Sequence, residues 1–121
     1  MQADPQVGPL SPAEVDQLDS TLLPALERHH LRLLAHGLRS LQAAAGRRHG
    51  DLPDVSELRH WVLSQPQAAS APEFAQVLID QLQSLAGQLA AIAAAQHCDP
   101  LALSLDQLTQ WARSQADQRL G

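Results

Sequence analysis

The sequence predicts an all-α protein. It should be a small bundle of four principal helices, five at most, with two long antiparallel helices and two short helices that each bear a tryptophan. Three observations carry this prediction. Apolar residues recur at spacings of three and four in two long stretches, Leu31, Leu34, Leu38 and Leu41 in one and Phe74, Leu78, Leu82, Leu85, Leu89 and Ile92 in the other, which is the period of one helix face. Leu, Ala and Gln dominate, β-branched residues are few, tyrosine is absent, and Trp61, Phe74 and Trp111 are the only aromatics, a composition that favours helix over sheet. Helix-start signatures stand ahead of several of the apolar runs, with Ser or Asp placed to exchange hydrogen bonds with a Glu or Gln in the first turn.

Residues 1–10, with Pro5, Gly8 and Pro9, read as a disordered arm, and 11–118 as a single helical-bundle domain. Ser11-Pro12-Ala13-Glu14 opens the first helix, with Ser11 as cap, Pro12 at the first helical position and Glu14 returning a bond to the Ser11 amide. Val15, Leu18 and Leu22 mark its apolar side. Pro24 lacks an amide proton and pushes Leu23 away from helical angles, so the helix breaks or kinks there, a break leaving a short helix near 12–21. The long helix over 24–45 follows, and Gly46 and Gly50 close it. Gly37 lies inside that helix at a cost of about 1 kcal/mol relative to alanine, which predicts close approach of another backbone at that point.

Asp54-Val55-Ser56-Glu57 opens a short helix that Pro66 stops, with Val55, Leu58, Trp61 and Val62 on its apolar face. QPQAASAP reads as a linker, and Ser70-Ala71-Pro72-Glu73 as the start of the second long helix, 71–97. Asp99-Pro100 ends that helix, and Ser104-Leu105-Asp106-Gln107 starts the last one, with Leu105, Leu108, Trp111 and Ala112 on its apolar side. Leu58-x-x-Trp61-x-x-Ser64-Gln65 and Leu108-x-x-Trp111-x-x-Ser114-Gln115 match, and the leucines of the long helices echo one another. Internal duplication and the chance likeness of two heptad-like helices both account for this.

Charge is unevenly placed. The net charge is −5, yet residues 28–50 hold five arginines and no acid, while the rest of the chain sets three arginines against thirteen acids. Arg28, His29, Arg32, His36 and Arg39 fall within roughly a third of a turn, on the side of the helix opposite the leucines. These five residues are the candidate partner- or anion-binding site. An acidic protein partner is the expected ligand, docked through Arg28, Arg32 and Arg39. Binding of nucleic acid or another polyanion through the same stripe is the alternative. The lightly charged second long helix can support a homodimer.

Other chemistry finds little footing. No nucleophile elbow, phosphate loop or paired carboxylates occur, so a non-enzymatic role with no cofactor is expected. Glu27-x-x-His30 and Glu57-x-x-His60 have the spacing of di-iron bundles, but Glu14 and Glu73, the remaining glutamates, are both helix caps. His97-Cys98-Asp99 offers three metal ligands that diverge around a helix end. A helix-turn-helix over 92–111 would begin its recognition helix with an acid, which repels phosphate. The single cysteine fits a reducing compartment. No signal peptide and no run of eighteen apolar residues are visible, so a cytoplasmic bacterial protein without membrane contact is expected.

The run Arg28-His29-His30-Leu31-Arg32-Leu33-Leu34-Ala35-His36, followed by the capped Leu-x-x-Trp helices, resembles small uncharacterised all-α proteins of cyanobacteria over most of residues 20–115. The resemblance implies an all-helical fold and a photosynthetic bacterial source. It implies no activity and no site residues.

Overall fold

The leucine seam of the first long helix is the centre of the molecule: Leu31, Leu34 and Leu38 are fully buried and Leu41 nearly so. Each such side chain contributes about 2 kcal/mol through removal from water. The structure, a computed structural model, describes residues 10–121. Among the described residues there are six α-helices, one 3-10 turn and no strand. The helices are α1 (Pro12–Asp19), α2 (Ala25–Ala45), α3 (Val55–Leu63), α4 (Pro66–Ser70), α5 (Pro72–Gln96) and α6 (Leu105–Leu120), and the 3-10 turn is Pro100–Ala102. Helix α2 packs against α3, α5 and α6.

Capping chemistry sets most boundaries as expected. Reciprocal capping boxes close on Ser11 and Glu14, on Asp54 and Glu57, and on Ser104 and Gln107. The chain breaks at Pro24, which caps α2 in an extended conformation, and Gly46 ends that helix with φ +73°. Of the expected arm at 1–10, residues 1–9 lie outside the described residues, and Leu10 is buried in the core.

Several expectations need correction. The run read as a linker contains α4, one short turn of helix started by Pro66. Ser70 does not cap α5; it ends α4 and donates its hydroxyl to the Gln67 carbonyl at 3.3 Å. Ala71 caps α5 without a side-chain bond, and Pro72 starts the helix. Leu22 does not belong to the apolar side of α1, because that helix stops at Asp19. Leu22 is 92% exposed with φ +60°, and Leu23 fills the core in its place. The last helix is also not short: α6 runs for 16 residues.

The second long helix is buried along a register slightly rotated from the one its leucines suggest. Ala75, Ile79, Leu82, Leu89, Ile92 and Ala93 are buried, whereas Leu78 and Leu85 are only half-buried and Phe74 is 44% exposed. Small Ala75 and Ala93 let α5 sit close to the core, which turns its bulkier neighbours outward. The two long helices meet at Gly37. A Cβ there would lie 2.8 Å from Leu85 Cδ1 and 3.2 Å from Leu85 Cβ. The close neighbour of this glycine is therefore a side chain of α5, not its backbone.

Candidate functional site

The basic stripe of α2 is largely answered from within the chain. Helix α1 lies across it and presents two acids. Arg39 donates from Nε and Nη2 to Glu14 Oε2 at 3.0 and 2.6 Å, and from Nη1 to Gln42 Oε1 at 2.8 Å. Its side chain is only 11% exposed. The same glutamate closes the α1 capping box through Oε1, so one carboxylate holds both a helix start and a tertiary ion pair. Burial alone would raise the Glu14 carboxyl. The hydrogen bonds from Arg39 and the Ser11 amide, with the Arg39 charge, outweigh it and hold the group below its ordinary value of 4.5.

Nearer the start of α2, Arg32 pairs with Asp19 at 3.1 Å, both ends about half exposed. Arg28 donates to the Leu23 carbonyl at 3.4 Å. The five candidate residues thus divide. Arg39 is a structural ion pair, Arg28 faces the α1–α2 turn, and His29, Arg32 and His36 stand on one wall of a furrow.

That furrow runs between α2 and α5. His29, Arg32, Leu33 and His36 form the α2 side, and Leu78, Gln81, Leu82 and Leu85 the α5 side, of a hollow of about 380 Å³. A second hollow of about 270 Å³ shares Leu33, Gln81 and Leu85 and reaches Ser84. Partial burial against α5, and then the Arg32 cation, hold His36 below the usual histidine range, although its edge stays open to solvent. Phe74 lies one turn before Leu78 on the same face. Phe74, Val77 and Leu33 are 44%, 52% and 46% exposed. Over its most apolar 18 residues α5 has a mean hydropathy of 1.2 and is 28% buried. By length and composition alone it is apolar enough to cross a membrane, a segment that a search for unbroken apolar runs passes over because glutamines interrupt it.

A further hollow of about 390 Å³ is lined by Arg39, Gln42, Arg47 and Arg48 at the end of α2. The dipole of a helix C-terminus accounts for cations there. Arg47 is spent on the backbone, donating to the Asp51 carbonyl at 2.6 Å.

The Glu-x-x-His pair at 27 and 30 is also occupied within the chain. Glu27, 6% exposed, accepts two bonds of 2.7 Å from Arg119, joining the start of α2 to the end of α6. The Arg119 hydrogen bonds hold the Glu27 carboxyl below its ordinary value against the effect of burial. His30 is half-buried, as its place on the apolar side suggests. Its Nε2 lies 2.8 Å from Gln88 Oε1, and its ring meets Trp111 edge-on at 5.1 Å. Among the described residues no three of His, Cys, Asp and Glu converge as metal ligands would.

Sequence reasoning missed the α5 side of the furrow and Leu33. The available signal was surplus: Leu33 adds an apolar residue off the seam, and Phe74, Val77 and Leu78 give α5 more apolar width than one buried face needs.

The model of one protein family, described as NDH complex assembly factor CRR9, matches residues 10–119. No curated protein and no solved structure matches.

Proposed function

The chain belongs to the family of the NDH complex assembly factor CRR9, and from that membership we propose that it serves assembly of that complex without catalysis, by holding a protein subunit on the open face of α2 and α5. The membership corrects the reading of a module with no defined role that docks through Arg28, Arg32 and Arg39, and equally the polyanion alternative. It also makes the likeness to small helical cyanobacterial proteins more specific. An assembly factor implies protein partners, and its role calls for a surface rather than a reaction centre.

The observation that carries the placement is the apolar width left over on α5. Scattered exposed leucines are ordinary, but a contiguous apolar surface with a furrow in it marks a contact. Phe74, Leu78, Leu85 and Leu33 supply that surface. A holding role also suits a face that is only moderately apolar, since the subunit must be released once the complex is complete.

The test is genetic and biochemical together. Removing the chain from its source organism should lower accumulation of the NDH complex on native gels, and tagged chain should co-purify with incomplete complex and not with the finished one. Undiminished accumulation of the complex would refute the reading.

A further inference from the structure

The two hollows of the furrow share Leu33, Gln81 and Leu85. An apolar furrow between two helices can take the apolar stripe of a third, whose large side chains three or four residues apart stand about 5–6 Å from one another. Leu78, Leu82 and Leu85 line the furrow's α5 side. No acidic side chain lines either hollow. The α2 wall carries His29, Arg32 and His36. The acid nearest along α5, Asp80, accepts from Gln76 at 2.9 Å, and Gln76 in turn accepts from Arg59 of α3 at 3.5 Å. That carboxylate is therefore held toward α3, away from the wall.

We propose that the furrow seats an amphipathic helix of a protein partner, with its apolar stripe against Leu33, Leu78 and Leu85 and its carboxylates along the wall of His29, Arg32 and His36. This rests on the reading that the chain holds a subunit of the complex, and it specifies the part of that subunit it holds. Arg32 is free to take part. Its bond to Asp19 uses one of five guanidinium donors, and a pair about half exposed at both ends is weakly held. A second copy of this chain is a poorer occupant, because no carboxylate lines the hollows and Asp19, beside the wall, is already paired with Arg32.

The probes are two designed helical peptides with one leucine stripe at i, i+3, i+4 and i+7, one flanked by glutamates and the other by lysines. Titrated into the full chain and followed by NMR, the glutamate peptide should bind at least about tenfold more tightly, with shifts centred on Leu33, Leu78 and Leu85. Leu33→Glu, at an exposed position, should keep the helical circular dichroism and lose about tenfold in affinity for the glutamate peptide. Arg32→Glu should invert the peptide preference. Equal binding of the two peptides, or shifts away from the furrow, would overturn the proposal. So would self-association abolished by Leu33→Glu, or adsorption to anionic lipid vesicles through the furrow in place of peptide binding. Loss of NDH complex on deletion together with indifferent peptide binding would sink only this occupant, whereas normal complex on deletion would sink the assembly reading itself.

Discussion

Glu14→Gln isolates the one interaction that turns the basic stripe from a surface into a structural joint. Glutamine preserves the capping box, since its amide oxygen can still accept from the Ser11 amide. What is lost is the charge facing Arg39. Exposed pairs are worth ~0.2–1 kcal/mol, and severing a buried pair costs ~3–5 kcal/mol. The Arg39 and Glu14 side chains are 11% and 22% exposed, so the expected cost lies between, at about 2 kcal/mol. At about 4 °C per kcal/mol for a chain of this size, that is a fall of about 8 °C in Tm. The pH dependence gives a sharper test. The folded carboxyl titrates below its ordinary value of 4.5, so its contribution is present in full above that value and is lost as the pH falls through the folded pKa. Urea unfolding of wild type and Glu14→Gln should therefore differ at pH 7 and converge as the pH falls through the folded pKa and the wild-type carboxyl itself becomes neutral. A difference that is negligible at pH 7, or that persists undiminished in acid, would show that Arg39 is not held by this charge.

Substitutions at two further positions probe the backbone. Gly37→Ala gains about 1 kcal/mol of helix propensity but sets a Cβ 2.8 Å from Leu85 Cδ1. Overpacking costs ~1–3 kcal/mol, so urea unfolding should show a net loss of about 1 kcal/mol, recovered when Leu85→Ala is added; stabilisation by Gly37→Ala alone would refute the close crossing. Leu22 holds φ +60° while 92% exposed. Leu22→Asn, which tolerates the left-handed region, should stabilise by about 0.5 kcal/mol, and Leu22→Val should destabilise by about 1 kcal/mol, both read as shifts in urea midpoint.

The parts of this molecule that were legible in its sequence are those whose physics is local. Ser11 and Glu14, Asp54 and Glu57, and Ser104 and Gln107 sit three residues apart, so their capping boxes can be read directly from the chain. The seam leucines of α2, Leu31, Leu34, Leu38 and Leu41, face one way and are all buried. Longer-range facts could not be read this way. Arg39 finds its counter-ion 25 residues earlier, and Glu27 finds Arg119 92 residues later. Leu78 belongs to a clean heptad-like series, yet α5 rotates toward Ala75 and Ala93, because small residues permit the closer approach. Helix α4 is a single turn, too short for periodicity to register.

The charge asymmetry shows most clearly why a local pattern misleads about function. A block of five arginines without an acid invites a search for an external anion. The same sequence places Glu14, Asp16 and Asp19 on the short helix just before that block, and a break at Pro24 is what allows this helix to turn back across it. Two of the three acids then find Arg39 and Arg32. Once those cations are answered internally, the unanswered feature of α2 is no longer charge but Leu33, exposed beside the half-buried leucines of α5. A free-energy argument points the same way. Exchanging an internal ion pair for an external one gains little, because the desolvation and the Coulomb terms are nearly the same on both sides. Covering open leucine surface gains about 25 cal/mol for each Å² removed from water. The residues best placed to drive association are thus the apolar ones, and Arg32 with its flanking histidines acts chiefly on the choice and orientation of what binds.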